Sequence, residues 1–266
     1  MQYFPVSVGN LKNGKNIMRL GHIKHNNPSN RSNRNRREPD MFFSKMTFRD
    51  HAVSPDDRMR IFQSPYALHQ EVWRLFSDSP DRKRDFIYRL DKDGLRPVVY
   101  SVSDRKPEGQ SRAWQVAAKE YAPKLLAGEE LAFLLRANPV VTRKNADGRR
   151  QRHDVVMDRK KALQEQGMTK KDMPSTAILA HEAGQDWLVR RTEQHGFAVQ
   201  QQNILVERYR QERFGKQQNK GTIQFSLLDF SGRLTVTDPE LFTRALCNGI
   251  GPAKGFGCGM LLVRRV

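Results

Sequence analysis

Long apolar runs are missing from this 266-residue chain. No stretch approaches the ~20 consecutive apolar residues of a membrane-spanning helix, so no membrane partner is expected. Cysteine is nearly absent: Cys247 and Cys258 are the only two, outside any C-x-x-C spacing, which excludes a disulfide scaffold and a zinc ribbon. No His-x-x-x-His pair and no Cys/His cluster at ligand spacing occurs, so neither a metal nor another cofactor is expected. A Gly-Lys-Ser/Thr segment of the Walker type is also lacking, which removes the phosphate-loop NTPases. Acidic residues are scarce, 29 against 47 Lys plus Arg, leaving a formal net charge of +18 that calls for a polyanionic partner. A mean hydropathy of −0.75 fits a cytoplasmic protein, while 37% hydrophobic residues still allow a real core.

What is present divides into two materials. Residues 10 to 40 are crowded with Asn, Lys, Arg and Ser, and their eight basic residues against Glu38 and Asp40 supply six of the eighteen net charges. So polar a segment cannot build a core, and residues 1–40 are expected to be a disordered basic leader. It reads either as a flexible RNA-binding arm or, by preference, as a stretch ahead of a true start at Met41.

From Met41 onward strand and helix signals alternate. Met41 to Phe48 reads as a strand and Asp50 to Ser64 as a polar connection. Ser64-Pro65 then opens a helix over Tyr66 to Phe76, with Leu68, Val72, Leu75 and Phe76 on its buried stripe. Strands Phe86 to Asp91 and Pro97 to Ser103 follow around the Asp93-Gly94 turn, and Ala113 to Tyr121 fits either helix or strand. A second half repeats this order: an apolar strand Glu130 to Thr142, an inserted polar helix and loop at 158 to 175, and a long helix Thr176 to His195. Strands Phe197 to Arg208 and Gly221 to Leu228 come next, then a helix Pro239 to Asn248 and a last strand from Cys258 to Val263. The expected fold class is α+β, with two tandem ferredoxin-like (βαββαβ, RRM-like) domains over 41–126 and 127–266.

Chemistry is concentrated in two places. Gly249, Gly251, Gly257 and Gly259 surround Lys254 in one eleven-residue loop, where dense glycine allows positive φ and close approach of backbone N–H groups to a phosphate. The same glycines also suit a plain turn into the last strand. On the first helix, Tyr66 and His69 stand three apart and share a face. An imidazole titrating near neutrality can move a proton to or from a reacting oxygen, and a phenol can donate to an anionic phosphorane. The plainer alternative for this pair is a surface histidine beside a packing tyrosine. Without metal ligands, a phosphoryl-transfer site points to RNA, whose 2′-OH is a built-in nucleophile. Arg149, Arg150, Arg152, Arg213, Lys216 and Lys220 fall in expected loops that could span a folded RNA stem through its phosphates.

On these residues the chain resembles the CasE family, the CRISPR RNA endoribonuclease of the type I-E Cascade complex. The carriers are Met41-Phe-Phe-Ser-Lys-Met; Tyr66-Ala-Leu-His69-Gln-Glu-Val-Trp73-Arg-Leu-Phe76; Asp85-Phe-Ile-Tyr; Leu135-Arg136-Ala-Asn138-Pro139; and Gly249 through Leu262. The resemblance spans Met41 to Val266. It implies binding of a CRISPR repeat stem-loop in precursor RNA and a metal-independent cut at the 3′ base of the stem. It further implies retention of the crRNA with the other Cascade subunits. His69 then takes the position of the catalytic histidine, as general base or general acid, with base toward the 2′-OH as the preferred role, and Tyr66 that of the assisting phenol. Gln70 stands where some relatives have an arginine, so that backbone contact is expected either to be missing or to pass to Arg74. The alternative function is a non-catalytic RRM-like RNA-binding protein, although neither half shows an aromatic-rich RNP segment on a strand.

Overall fold

A computed structural model describes residues 41–76, 79, 83–108, 111–216 and 219–266, without the side chains of 216, 219 and 220. The leader expected over 1–40 lies outside the described residues. The first half runs β1 (Phe42–Phe48), α1 (Pro55–Phe62), α2 (Pro65–Arg74), β2 (Phe86–Asp93), β3 (Arg96–Ser103) and β4 (Trp114–Glu120). The strands form one antiparallel sheet in the order β2-β3-β1-β4, the ferredoxin-like order. No helix occurs among the described residues between β3 and β4, and the segment that fitted either helix or strand is β4. The polar connection expected over 50–64 contains α1, capped by Ser54, whose side chain accepts from the Asp57 N–H, with Pro55 in its first turn.

The second half runs β5 (Glu130–Ala137), β6 (Val140–Lys144), β7 (Arg150–Asp154), α3 (Val155–Glu165), α4 (Thr176–Val189), β8 (Phe197–Ala198), β9 (Ile204–Lys216), β10 (Asn219–Val236), α5 (Pro239–Asn248) and β11 (Leu261–Arg265). Its sheet is ordered β11-β5-β10-β8, with β9 paired to β10. If the ribbon β6–β7 and α3 are set aside as an insertion, the ferredoxin-like order returns. The apolar strand expected to reach Thr142 stops at Ala137, because Pro139 has no N–H to offer a ladder. Two basic stretches expected as loops are strands. Arg150 and Arg152 lie on β7, Arg213 and Lys216 on β9 and Lys220 on β10, while Arg149 alone stays in a turn. β9 and β10 extend as a long hairpin, bent where Arg208 takes φ 56° opposite a register shift between Leu227 and Asp229.

Each sheet buries one face under its own helices. Met46, Phe86 and Tyr88 pack with Leu68 and Val72 of α2, and Phe133, Leu135 and Phe230 pack with Trp187 and Leu246. Strand alternation sends Phe43, Ile87 and Val102 to the other face, where they meet Met260 and Leu262 of the second half. One polar anchor across this seam is Arg136. Its guanidinium grips Asp229 through two bonds of 2.7 and 3.0 Å and donates to the Leu90 carbonyl at 3.0 Å. Burial opposes ionisation of Asp229, but the Arg136 fork outweighs it and holds the carboxyl below its usual range.

Removing one partner of so buried a pair strands the other charge. Arg136→Ala is expected to cost about 3 kcal/mol of unfolding free energy at pH 7, measured by urea denaturation. The depressed Asp229 contributes stability above the unfolded carboxylate pKa and loses it as the pH falls through the folded one. The gap between variant and parent should therefore narrow in acid, and an unchanged midpoint at pH 7 would refute the assignment.

Candidate active site

The side chain of Ser64 accepts from the Ala67 N–H at 3.1 Å and Pro65 fills the first turn, so α2 begins where the sequence signal puts it. Leu68 and Val72 turn inward. Tyr66, His69, Gln70, Trp73 and Arg74 line an open recess of about 350 Å³ on the other side. His69 and Arg74 are therefore brought to one place, with Arg74 paired to Glu71.

The opposite end of the chain reaches the His69 ring. The His69 ring lies 5.9 Å from Phe256, edge to face, and 5.8 Å from Trp73. Phe256 sits in the glycine loop, and the Tyr88 hydroxyl fixes that loop from β2 by donating to the Gly255 carbonyl at 3.1 Å. Phe256 also contacts Phe225 at 5.4 Å and Phe214 at 5.3 Å, and Phe214 in turn lies 6.3 Å from Tyr66. These rings dock the hairpin carrying Arg213 beside the histidine.

The glycines work first as packing. Gly249, Gly251, Gly257 and Gly259 have φ of 73°, 82°, 79° and 88°. A Cβ on Gly249 would lie 2.8 Å from the Gly259 carbonyl oxygen, so the loop's two ends can cross only without side chains there. The Ile250 N–H donates to Gly259 and the Gly259 N–H to Arg136, at 2.8 and 2.7 Å, so those two donors are already used. The cradle expected of the loop is thereby narrowed to its middle, around half-buried Lys254.

Arg84, which sequence reading missed, completes the electrostatics. Its guanidinium donates to the Phe86 carbonyl, and a Cβ on Gly255 would lie 3.8 Å from the His69 ring and 3.9 Å from Arg84 Nε. Burial lowers the His69 pKa first and the Arg84 charge lowers it further. The Gly255 backbone opposes both, without a hydrogen bond closing on the buried Nδ1. Burial and Arg84 likewise lower Lys254. The arrangement is an imidazole whose protonation is disfavoured by burial and by the Arg84 cation. Only the position of Arg84, just ahead of Asp85-Phe-Ile-Tyr, could have signalled it.

The remaining basic residues are distributed elsewhere. Arg150 and Arg152 are on the separate ribbon β6–β7, which pairs with neither main sheet, and Arg149 is in its turn. Lys216 and Lys220 flank the hairpin tip. Among the described residues, no cluster of three or more His, Cys, Asp or Glu is placed to hold a metal ion.

Comparison with known proteins adds an independent line. The family model described as CRISPR associated protein matches residues 41–265. The CRISPR system Cascade subunit CasE of Escherichia coli (strain K12) is 31% identical over 201 residues, spanning 74% of this chain and 89% of the relative. The CRISPR-associated endoribonuclease Cse3 of Thermus thermophilus is 28% identical over 221 residues, 77% of this chain and 92% of the relative. A solved structure of CRISPR endoribonuclease Cse3 bound to 19-nucleotide RNA superimposes with TM-score 0.60 at 25% identity, covering 84% of this chain and 99% of that one. The crystal structure of Cas6e from E. coli, at TM-score 0.54 and 22% identity, shares the fold, covering 85% of this chain and 100% of that one.

The site's electrostatics give a direct test. In an NMR titration the His69 imidazole should titrate below the ordinary 6.5. Arg84→Gln should move it upward, since a neighbouring cation is removed. A His69 pKa unmoved by that change would mean that Arg84 does not act on the imidazole.

Proposed function

The chain belongs to the CasE family of CRISPR-associated proteins, and from that premise we propose that it is the endoribonuclease that processes CRISPR precursor RNA. Its RNA partner is the repeat stem-loop, and its protein partners are the other Cascade subunits. The proposed place of action is the cytoplasm; no described helix is long and apolar enough to cross a membrane. The observation that carries the reading is His69 held between α2 and Phe256 of the glycine loop, with Arg84 beside it. We read the two sheets as two domains, 41–126 and 127–266, with the reaction at their junction.

In this mechanism the stem is gripped by the β9–β10 hairpin through Arg213, Lys216 and Lys220. The scissile phosphate sits over Phe256 and Lys254. Neutral His69 takes the proton of the 2′-OH next to that phosphate, and the oxygen attacks phosphorus as the bond to the 5′-oxygen breaks. A 2′,3′-cyclic phosphate results, and the leaving 5′-oxygen takes a proton from solvent to become a 5′-OH. Arg84 and Lys254 balance the charge that grows on the non-bridging oxygens, and Tyr66 donates a hydrogen bond to one of them. The lowered pKa suits His69 to act as base, because the imidazole stays neutral at pH 7 without help from a carboxylate.

With excess EDTA present, His69→Ala is expected to lower the single-turnover cutting rate by about 10²–10⁴-fold, with RNA affinity within a few fold of the parent. Replacing the 2′-OH at the cut by hydrogen should stop the reaction. The rate should fall as the pH drops through the His69 pKa, and in Arg84→Gln that fall should begin at higher pH. Tight binding without a cut by the unaltered protein would make it an RNA-binding module instead.

A further inference from the structure

The polar insertion β6–β7–α3 takes no part in the chemistry above, yet it builds one wall of the molecule's other large concavity. That cleft, about 640 Å³, lies between the ribbon, α3 and α4, and Gly251 and Pro252 of the glycine loop form part of its lining. The loop therefore has two working sides. Phe256 faces His69 and the hairpin, and five residues earlier Gly251 packs on Trp187 at the cleft, where a Cβ would come within 3.2 Å of the indole.

The cleft is built for an anion. Five arginines line it against two aspartates. Arg191 is fixed in one pose: its guanidinium lies 4.2 Å from the Trp187 ring centroid and donates to the Trp187 and Val140 carbonyls at 2.9 and 3.2 Å. A guanidinium has five N–H donors in a rigid fork, so donors remain for a phosphate. Arg143 is satisfied by Asp158 at 2.7 Å. Arg152 and Arg190 are exposed and make no ion pair among the described residues. A concavity of this volume is of small-ligand size, which suits a single strand and not a helix.

Positive groups also continue from the cleft to the site. Burial and then the Lys254 and Arg191 charges lower the His195 pKa, and Arg84 acts on both Lys254 and His69. A polyanion laid along that line relieves the mutual repulsion. Direction follows from the placement of the stem. The hairpin holds the stem on the Phe256 side, and the strand continuing past the cut is covalently next to the scissile phosphate.

Resting on the endoribonuclease reading, we infer that the cleft between β6–β7 and α4 binds the single-stranded RNA just 3′ of the cut, with Arg152, Arg190 and Arg191 on its phosphates. The site thus holds substrate on both sides of the scissile bond but grips the retained product on one side only. The 5′-OH fragment leaves from a cleft whose contacts are electrostatic and salt-sensitive.

The test uses the full chain with Arg152→Ala/Arg190→Ala, two exposed positions outside the catalytic recess. Two repeat hairpins are compared, both with hydrogen in place of the 2′-OH at the cut: one ends at the cut, and one extends about eight nucleotides beyond it. Affinity for the extended RNA should fall about tenfold, and its log Kd against log salt slope should shrink by about 1.4, or 0.7 per lost single-strand phosphate contact. Affinity for the short RNA should stay within twofold. Equal losses on both RNAs would place the stem in the cleft and overturn the inference. No loss on either would overturn it too, leaving the cleft as a surface for a protein partner. A cleavable hairpin with one nucleotide past the cut should be cut equally by variant and parent. Failure of the parent to cut that RNA would count against the endoribonuclease reading and not against the cleft.

Discussion

Arg136 gives its backbone carbonyl to the Gly259 N–H and its guanidinium to Asp229 and Leu90, so one residue ties the glycine loop, the second sheet and the first sheet together. The site needs that tie, because His69 and Phe256 are far apart in sequence and come from different sheets' surroundings. Burying a guanidinium is costly unless its partners are well placed. Here both carboxylate oxygens and a main-chain carbonyl converge on it, and a second buried cation, Arg89, is matched by Asp91 at 3.1 Å. Beside these bonds and that of the Tyr88 hydroxyl to the Gly255 carbonyl, the seam holds an apolar cluster. The hydrophobic contact of Ile87 with Met260 and Leu262 supplies adhesion, and the directional bonds supply register.

Electrostatics do double duty at the recess. A chain with +18 net charge draws a polyanion from solution, and the same excess disfavours protonation of any imidazole inside it. Arg84 sharpens this locally by acting on His69 and Lys254 together. In the proposed mechanism Arg84 would both stabilise a phosphorane and disfavour protonation of the base. That needs no carboxylate, and among the described residues the recess is lined by the rings of Tyr66, His69 and Trp73, the Gln70 amide and the Arg74 guanidinium.

Elements with a buried face were legible in the sequence, and those without one were not. α2 announced itself through Ser64-Pro65 and the Leu68/Val72 stripe, and β1, β2 and β3 through alternation with one or both faces buried. α1 buries only Ile61, so its stripe was too thin to see, although Ser54-Pro55-Asp-Asp carried a start signal. The β7 strand exposes residues on both faces and the outer part of β9 only half-buries one, so their basic sequences looked like loops. Backbone pairing, which leaves no side-chain period, makes them strands. Arg84 was signalled only by its place ahead of Asp85-Phe-Ile-Tyr, because the groups it meets, His69 and Gly255, come from other elements of the fold.

Two of these illegible elements are also mechanically joined. The Tyr209 hydroxyl on β9 donates at 2.9 Å to Asp154, which ends β7 and caps α3 by accepting from the Val156 and Met157 N–H groups. Burial and then the Asp154 charge push the Tyr209 phenol pKa well up, so it remains a donor throughout the physiological range. The β9–β10 hairpin and the insertion that walls the arginine cleft therefore share one carboxylate. Polar ribbons with no core of their own gain position from such an anchor, as the outer hairpin does from Phe214 and Phe225 on Phe256. With both ribbons referred to the same framework, the spacing between the hairpin and the cleft is set by the fold. In the proposed function, where the hairpin holds a stem and the cleft the strand beyond it, a single cut at a fixed step from the helix end requires that constraint.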